Sequence, residues 1–222
     1  MNERLNTGRL GIWALIAVSL SALNFAAYTS ASAADSPSES LFSWSFAGGN
    51  AIFLCIWIVI SLAISNRRRE LRAFRRPRIG LAAAIWLGFL AVVGTLVASY
   101  FVTGLGGDPA REQGLLNEHW QSGKLAPFIA SVLVLAVLTP IAEELFVRGL
   151  GFGLFQPFGQ AAAMAVPALG WALMHGLPAA IFPLFVFGIG LGYLRERSDS
   201  VIPGMIVHGL YNGLAVALAY SI

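Results

Sequence analysis

Thr139-Pro140-Ile141-Ala142-Glu143-Glu144-Leu145-Phe146-Val147-Arg148 stands inside an apolar run that covers residues 127–155. In hydrocarbon, each of the charges on Glu143, Glu144 and Arg148 costs about 2.5–3.5 kcal/mol even on the lenient insertion scale. Helix formation has no need of three charges so close together. The stretch therefore reads as the lining of a buried site rather than as a structural ion cluster alone.

Outward from it, the same apolar character fills most of the chain. The sequence is 57% hydrophobic and 11% charged, whereas a soluble domain carries about 25% charged residues. That composition marks an integral membrane protein and excludes water-soluble readings. Spanning elements must be helices or closed barrels, because backbone groups in lipid find no water to bond. The runs are continuous rather than alternating, which selects helices. The expected fold is all-α, a polytopic membrane bundle of about seven transmembrane helices over residues 10–28, 47–65, 79–102, 127–155, 160–175, 178–194 and 201–222. A crossing takes about 20 residues, so the fifth and sixth segments are short and the fourth is long. Residues 1–78 read as an N-terminal two-helix region and 79–222 as the core.

The net charge of +3 does not point to nucleic acid. Arg67, Arg68, Arg69, Arg72, Arg75, Arg76 and Arg78 cluster beside a membrane segment, and their partner is the lipid bilayer. The linker 30–45 carries Asp35 and Glu39 and no positive charge. The positive-inside rule places the 67–78 loop in the cytoplasm of a multi-pass protein of the cell membrane. Counting crossings, residues 103–126 fall outside and Arg195-Glu196-Arg197 inside, which agrees with the rule independently. Ala31-Ser32-Ala33 resembles a signal-peptidase site. The run before it is longer than a usual signal core, so it reads as a retained helix, with cleavage the alternative. Asp108, Arg111, Glu112, Glu118, His119 and Lys124 read as a solvated outer loop. Cys55 is the single cysteine, which leaves no intrachain disulfide and no cysteine metal site.

Three apolar segments carry polar groups that hydrocarbon rejects: Glu143, Glu144 and Arg148 on the fourth, Trp171 and His175 on the fifth, His208 and Asn212 on the seventh. Glu144 and Arg148 are i,i+4, the favourable order for a pair on one face. Glu143 is turned about 100° away and is freer to face a cavity. If the fourth helix runs past Arg148 to about residue 155, Glu143, His175 and Asn212 share one level near mid-membrane, with His208 nearer the cytoplasm.

Carboxylate, imidazole and carboxamide suit hydrolysis by an activated water. Glu143 would be the general base. His175 would hold the water or shuttle the proton, and Asn212, with His208, would donate to the developing oxyanion. No cofactor is called for. Two histidines and a glutamate are also ligands that zinc accepts, although no known zinc signature is present. Trp171 reads as packing. Two rivals stay open: a transporter with a buried polar pathway, and a non-catalytic immunity or scaffold protein.

Glu-Glu-x-x-x-Arg, an aromatic-x-x-x-His and His-x-x-x-Asn, each on its own membrane segment, resemble the CPBP family of intramembrane proteases, also called the Abi or CAAX-protease family. The similarity covers about residues 126–220. It implies a glutamate endopeptidase without a metal, acting on a membrane-associated or lipidated peptide or protein. By that resemblance Glu143, His175, His208 and Asn212 are catalytic, and Glu144, Arg148 and Trp171 support them. Trp171 stands where the family usually has phenylalanine. The site is expected to open toward the cytoplasm.

Overall fold

In a computed structural model, residues 7–34, 41–65, 71–112 and 120–219 are described. Asp35, Glu39, Arg67, Arg68, Arg69, Glu118 and His119 lie outside them. Seven helices make up the body: α1 (Thr7–Ala34), α2 (Trp44–Ile64), α3 (Leu81–Gly104), α4 (Leu125–Phe158), α5 (Gln160–Met174), α6 (Ile181–Ser198) and α7 (Ile202–Ala219). No strand occurs among the described residues. Six of these helices are long and apolar enough to cross a membrane, and α5, at 15 residues, is shorter. The chain is thus a multi-pass helical membrane protein. The sixth segment, expected to be short, gains length at its C-terminal end, where α6 continues through Arg195 and Arg197 to Ser198.

Helix α4 runs through the middle and is unbroken at Arg148, the condition on which the shared level of the polar residues depends. It changes pitch twice, with π-helical turns at Val134–Leu138 and Leu145–Gly151. Pro140 explains the first. The Thr139 N–H bonds Val134 O, five residues back, and the next donor in that register is missing because proline has no N–H. The orphaned Leu135 carbonyl instead accepts the Asn212 amide from α7 at 3.0 Å. Gly209 lets α7 come this close, since a Cβ there would run into Ala136 O. Around the second wide turn, side chains from other helices take up carbonyls: Trp13 donates to Phe146 O at 3.1 Å and Arg195 to Arg148 O at 3.3 Å. Wide turns of this kind stay ordered where side chains complete the hydrogen bonding.

The two basic stretches meet at one end of the bundle. Asp199 pairs with Arg75, with Arg78 at 2.9 Å and with Arg195 at 3.2 Å. The Arg78 N–H also bonds Ser198 O at 2.8 Å. At the other end, Glu112 is not the solvated residue expected. Its carboxylate accepts the Ala179 and Ala180 N–H groups at 2.7 and 3.2 Å and the Tyr28 hydroxyl at 2.9 Å. It thereby ties the segment that follows α3 to α1 and to the turn before α6.

Helix α5 ends on Gly176, whose φ of +67° is the left-handed value that glycine supplies after a helix. Asn24 of α1 donates to Met174 O at 2.6 Å across this turn. A Cβ on Gly176 would meet the α1 backbone at Asn24 and Phe25. Gly176→Ala is expected to lower stability by at least about 1–2 kcal/mol from the left-handed backbone alone, read as a lower melting temperature in detergent. An unchanged melting temperature would mean that the turn is not left-handed and that α1 does not pack on it.

Candidate active site

Glu143 and Glu144 follow each other on α4 but face different surroundings. Glu144 is fully buried (0% exposed) and accepts from Arg148 Nη1 at 2.7 Å. Arg148 also donates to Gly188 O at 3.0 Å and lies 4.9 Å above the Trp171 ring. The pair anticipated from i,i+4 spacing is therefore formed, buried and tied to α6. Glu143 is 8% exposed and borders a cavity.

His208 spans the two carboxylates. Its Nδ1 is 3.2 Å from Glu144 Oε1 and its Nε2 is 3.7 Å from Glu143 Oε2. Trp171 and Phe187 close on it edge-to-face, with ring centroids at 5.4 and 5.7 Å. His208 is thus nearly sealed (3% exposed) beside both carboxylates. His175 caps α5, where its Nδ1 lies 2.8 Å from Trp171 O. A carbonyl only accepts, so Nδ1 is the donor in this contact, and Nε2 is left for another partner. Asn212 spends one amide hydrogen on Leu135 O, which leaves its second hydrogen and its oxygen for the cavity it lines.

The Trp171 indole N–H donates to Glu143 Oε2 at 2.5 Å. The packing role expected for Trp171 is real, since it is 1% exposed. The hydrogen bond adds something that a phenylalanine in its place would lack. Glu143 Oε1 accepts no hydrogen bond from the described residues and is not sealed away. One oxygen is held and the other faces the cavity.

That cavity has a volume of about 340 Å³, and Glu143, Thr139, His175, Tyr211 and Asn212 line its inner wall. Thr139 and Tyr211 were not assigned to the site from the sequence, although both lie inside the quoted motifs. The wall continues through Leu20 and Asn24 of α1, Asn50 and Phe53 of α2, and Leu135 and Leu177. Asn24 and Asn50 are polar interruptions of apolar runs, a signal that could have marked them. These residues lead away from the basic end. Between Glu143 and that end, Phe146, Val147, Leu150, Leu191 and Leu194 are all 0% exposed. The expected opening on the arginine-rich side is not what the lining shows: buried apolar residues, with the Glu144–Arg148 pair among them, occupy that side, and the cavity lining runs toward the opposite end.

Among the described residues, no three of His, Cys, Asp and Glu are grouped to hold a metal ion. His208 is engaged with the two carboxylates, and His175 caps a helix.

An all-helical membrane protein with a carboxylate, two imidazoles and a carboxamide around a buried cavity has the make-up of an intramembrane hydrolase. Residues 125–214, from the start of α4 into the last turns of α7, match the family described as Type II CAAX prenyl endopeptidase Rce1-like, which supports the resemblance to the CAAX-protease (CPBP) family. That family implies a peptidase working in a membrane on peptide or protein substrates. No curated protein and no solved structure matches the chain.

Proposed function

We propose that the chain is an intramembrane endopeptidase that cleaves a membrane-associated or lipidated peptide with a water activated by Glu143. The observation that carries this reading is the division of labour on the Glu143 carboxylate: Oε2 is held by Trp171 while Oε1 faces the cavity beside His175 and Asn212. A water between Glu143 Oε1 and His175 Nε2 gives one hydrogen to each and turns a lone pair toward a peptide carbonyl. Glu143 takes the proton as the oxygen adds to the carbonyl carbon. The second N–H of Asn212 meets the resulting oxyanion. Collapse of the tetrahedral intermediate breaks the C–N bond, and Glu143 returns the proton to the leaving amine.

The reading holds no place for a resident metal. The test is cleavage by purified protein in detergent, followed by mass spectrometry on a mixed panel of lipidated and unlipidated peptides, with and without a chelator. Cleavage that resists chelation and disappears in Glu143→Ala is the expected result. Cleavage lost on chelation would replace the glutamate mechanism with a zinc one. A folded wild type that cleaves nothing while moving a solute into proteoliposomes would replace the peptidase with a transporter.

Trp171→Phe keeps the ring and removes the N–H. A hydrogen bond to a charged group is worth about 1.5–3 kcal/mol, so a loss of roughly tenfold or more in kcat is expected, with KM little changed. A rise in KM would instead point to a reshaped channel.

With the 67–78 loop in the cytoplasm of the cell membrane, the cavity mouth faces the outer side. A cysteine at Asn24, in a Cys55→Ser background, should then react with a membrane-impermeant maleimide in intact cells, and a cysteine at Arg76 should react only after lysis. The reverse pattern would invert the topology.

A further inference from the structure

A second, larger cavity lies away from the catalytic residues, in the groove between α3 and α7. Its volume is about 670 Å³ and its walls are almost wholly apolar, among them Ile85, Phe89, Ile206 and Leu210. One end is different: Arg76 and Arg78 line it there. From Ile202 to Leu214 the groove follows α7 for about 18 Å, close to the roughly 15 Å that the chains of one leaflet occupy.

Among the described residues, the basic end carries more positive charge than its acids can match. Asp199 faces Arg75, Arg78 and Arg195 at once. Glu196 accepts a hydrogen bond from Gln160 at 3.0 Å. Arg76 is exposed and has no ion-pair partner among the described residues. Helix α3 starts at this same end, and Gly80 offers no side-chain cap to its first N–H groups. Those open donors and the helix dipole add to the positive field.

An apolar trough one leaflet deep, ending in surplus guanidinium groups and an open helix N-terminus, has the shape and charge of an anionic amphiphile in negative relief. We propose that this groove binds an anionic membrane phospholipid, its phosphate on Arg76 and Arg78 and one acyl chain laid between α3 and α7. The site is separate from the catalytic cavity and does not depend on the peptidase reading. Tyr211 borders both spaces.

The test uses the full chain, exposed to equal amounts of phosphatidylglycerol and phosphatidylcholine with identical acyl chains, then washed in detergent and examined by native mass spectrometry. Phosphatidylglycerol should survive the wash in clear preference. Arg76→Ala/Arg78→Ala should reduce its retention by about fivefold per arginine removed, to near that of phosphatidylcholine. Leu210→Trp, which fills the trough and leaves both arginines in place, should lower retention of both lipids. Arg76→Glu serves as a second charge variant, and melting temperatures check that each protein is folded. Equal retention of the two lipids by wild type would reduce the groove to ordinary lipid contact and overturn the proposal. So would a phosphatidylglycerol preference that survives both charge variants, which would place its headgroup elsewhere.

Discussion

Glu143→Gln is expected to slow peptide cleavage by about two to four orders of magnitude, the usual contribution of a positioned general base, and to leave the melting temperature close to that of wild type. Glutamine keeps an oxygen to accept the Trp171 N–H, so the local geometry survives. What it loses is the basic oxygen at the Oε1 position, which faces the cavity. Because Glu143 borders that cavity, the neutral amide leaves no buried charge unmatched. The measurement is initial rate together with thermal unfolding of the same preparation. Cleavage within threefold of wild type would remove Glu143 from the chemistry.

The neighbouring charges should behave the other way round. Arg148→Ala leaves the Glu144 carboxylate buried at 0% exposure without its 2.7 Å partner. It also frees Gly188 O and empties the space above the Trp171 ring. Breaking one side of a buried ion pair costs about 3–5 kcal/mol, because an unmatched charge remains. A large fall in melting temperature, with poor yield, is the expected outcome. Glu144→Gln/Arg148→Met removes both charges and should recover much of the loss. If it melts no higher than Arg148→Ala, the cost lies in packing rather than in charge. An Arg148→Ala protein as stable as wild type would show that water reaches Glu144.

The contrast between the two glutamates was legible in the sequence, because i,i+4 spacing assigns Arg148 to Glu144 and not to Glu143. So were the helices, whose apolar runs are set by bilayer thickness, and the meeting of three polar motifs, since each charge in lipid demands a partner. The hydrogen bond from Trp171 to Glu143 was not legible. Spacing reports which residues share a face of one helix, but not how two helices are rotated against each other. The π-turns of α4 were hidden for a related reason. Pro140 announces a missing donor, yet whether the chain kinks, breaks or widens depends on Asn212, Trp13 and Arg195 arriving from far along the sequence to satisfy the freed carbonyls. The direction of the cavity failed most plainly. Charge distribution speaks about which loops face the cytoplasm and says nothing of where side chains leave space between helices.

The plug beneath Glu143 has an electrical meaning. From Glu143 toward Phe155 the chain passes Phe146, Val147, Arg148 and Leu150, all buried. Water admitted to the carboxylate from the cavity mouth cannot continue to the arginine-rich end. The transmembrane voltage therefore falls mainly across this plug, and Glu143 stays near the potential of the compartment its cavity faces. On the proposed reading, a hydrolytic centre is thereby kept wet inside an energised membrane without becoming a leak for protons.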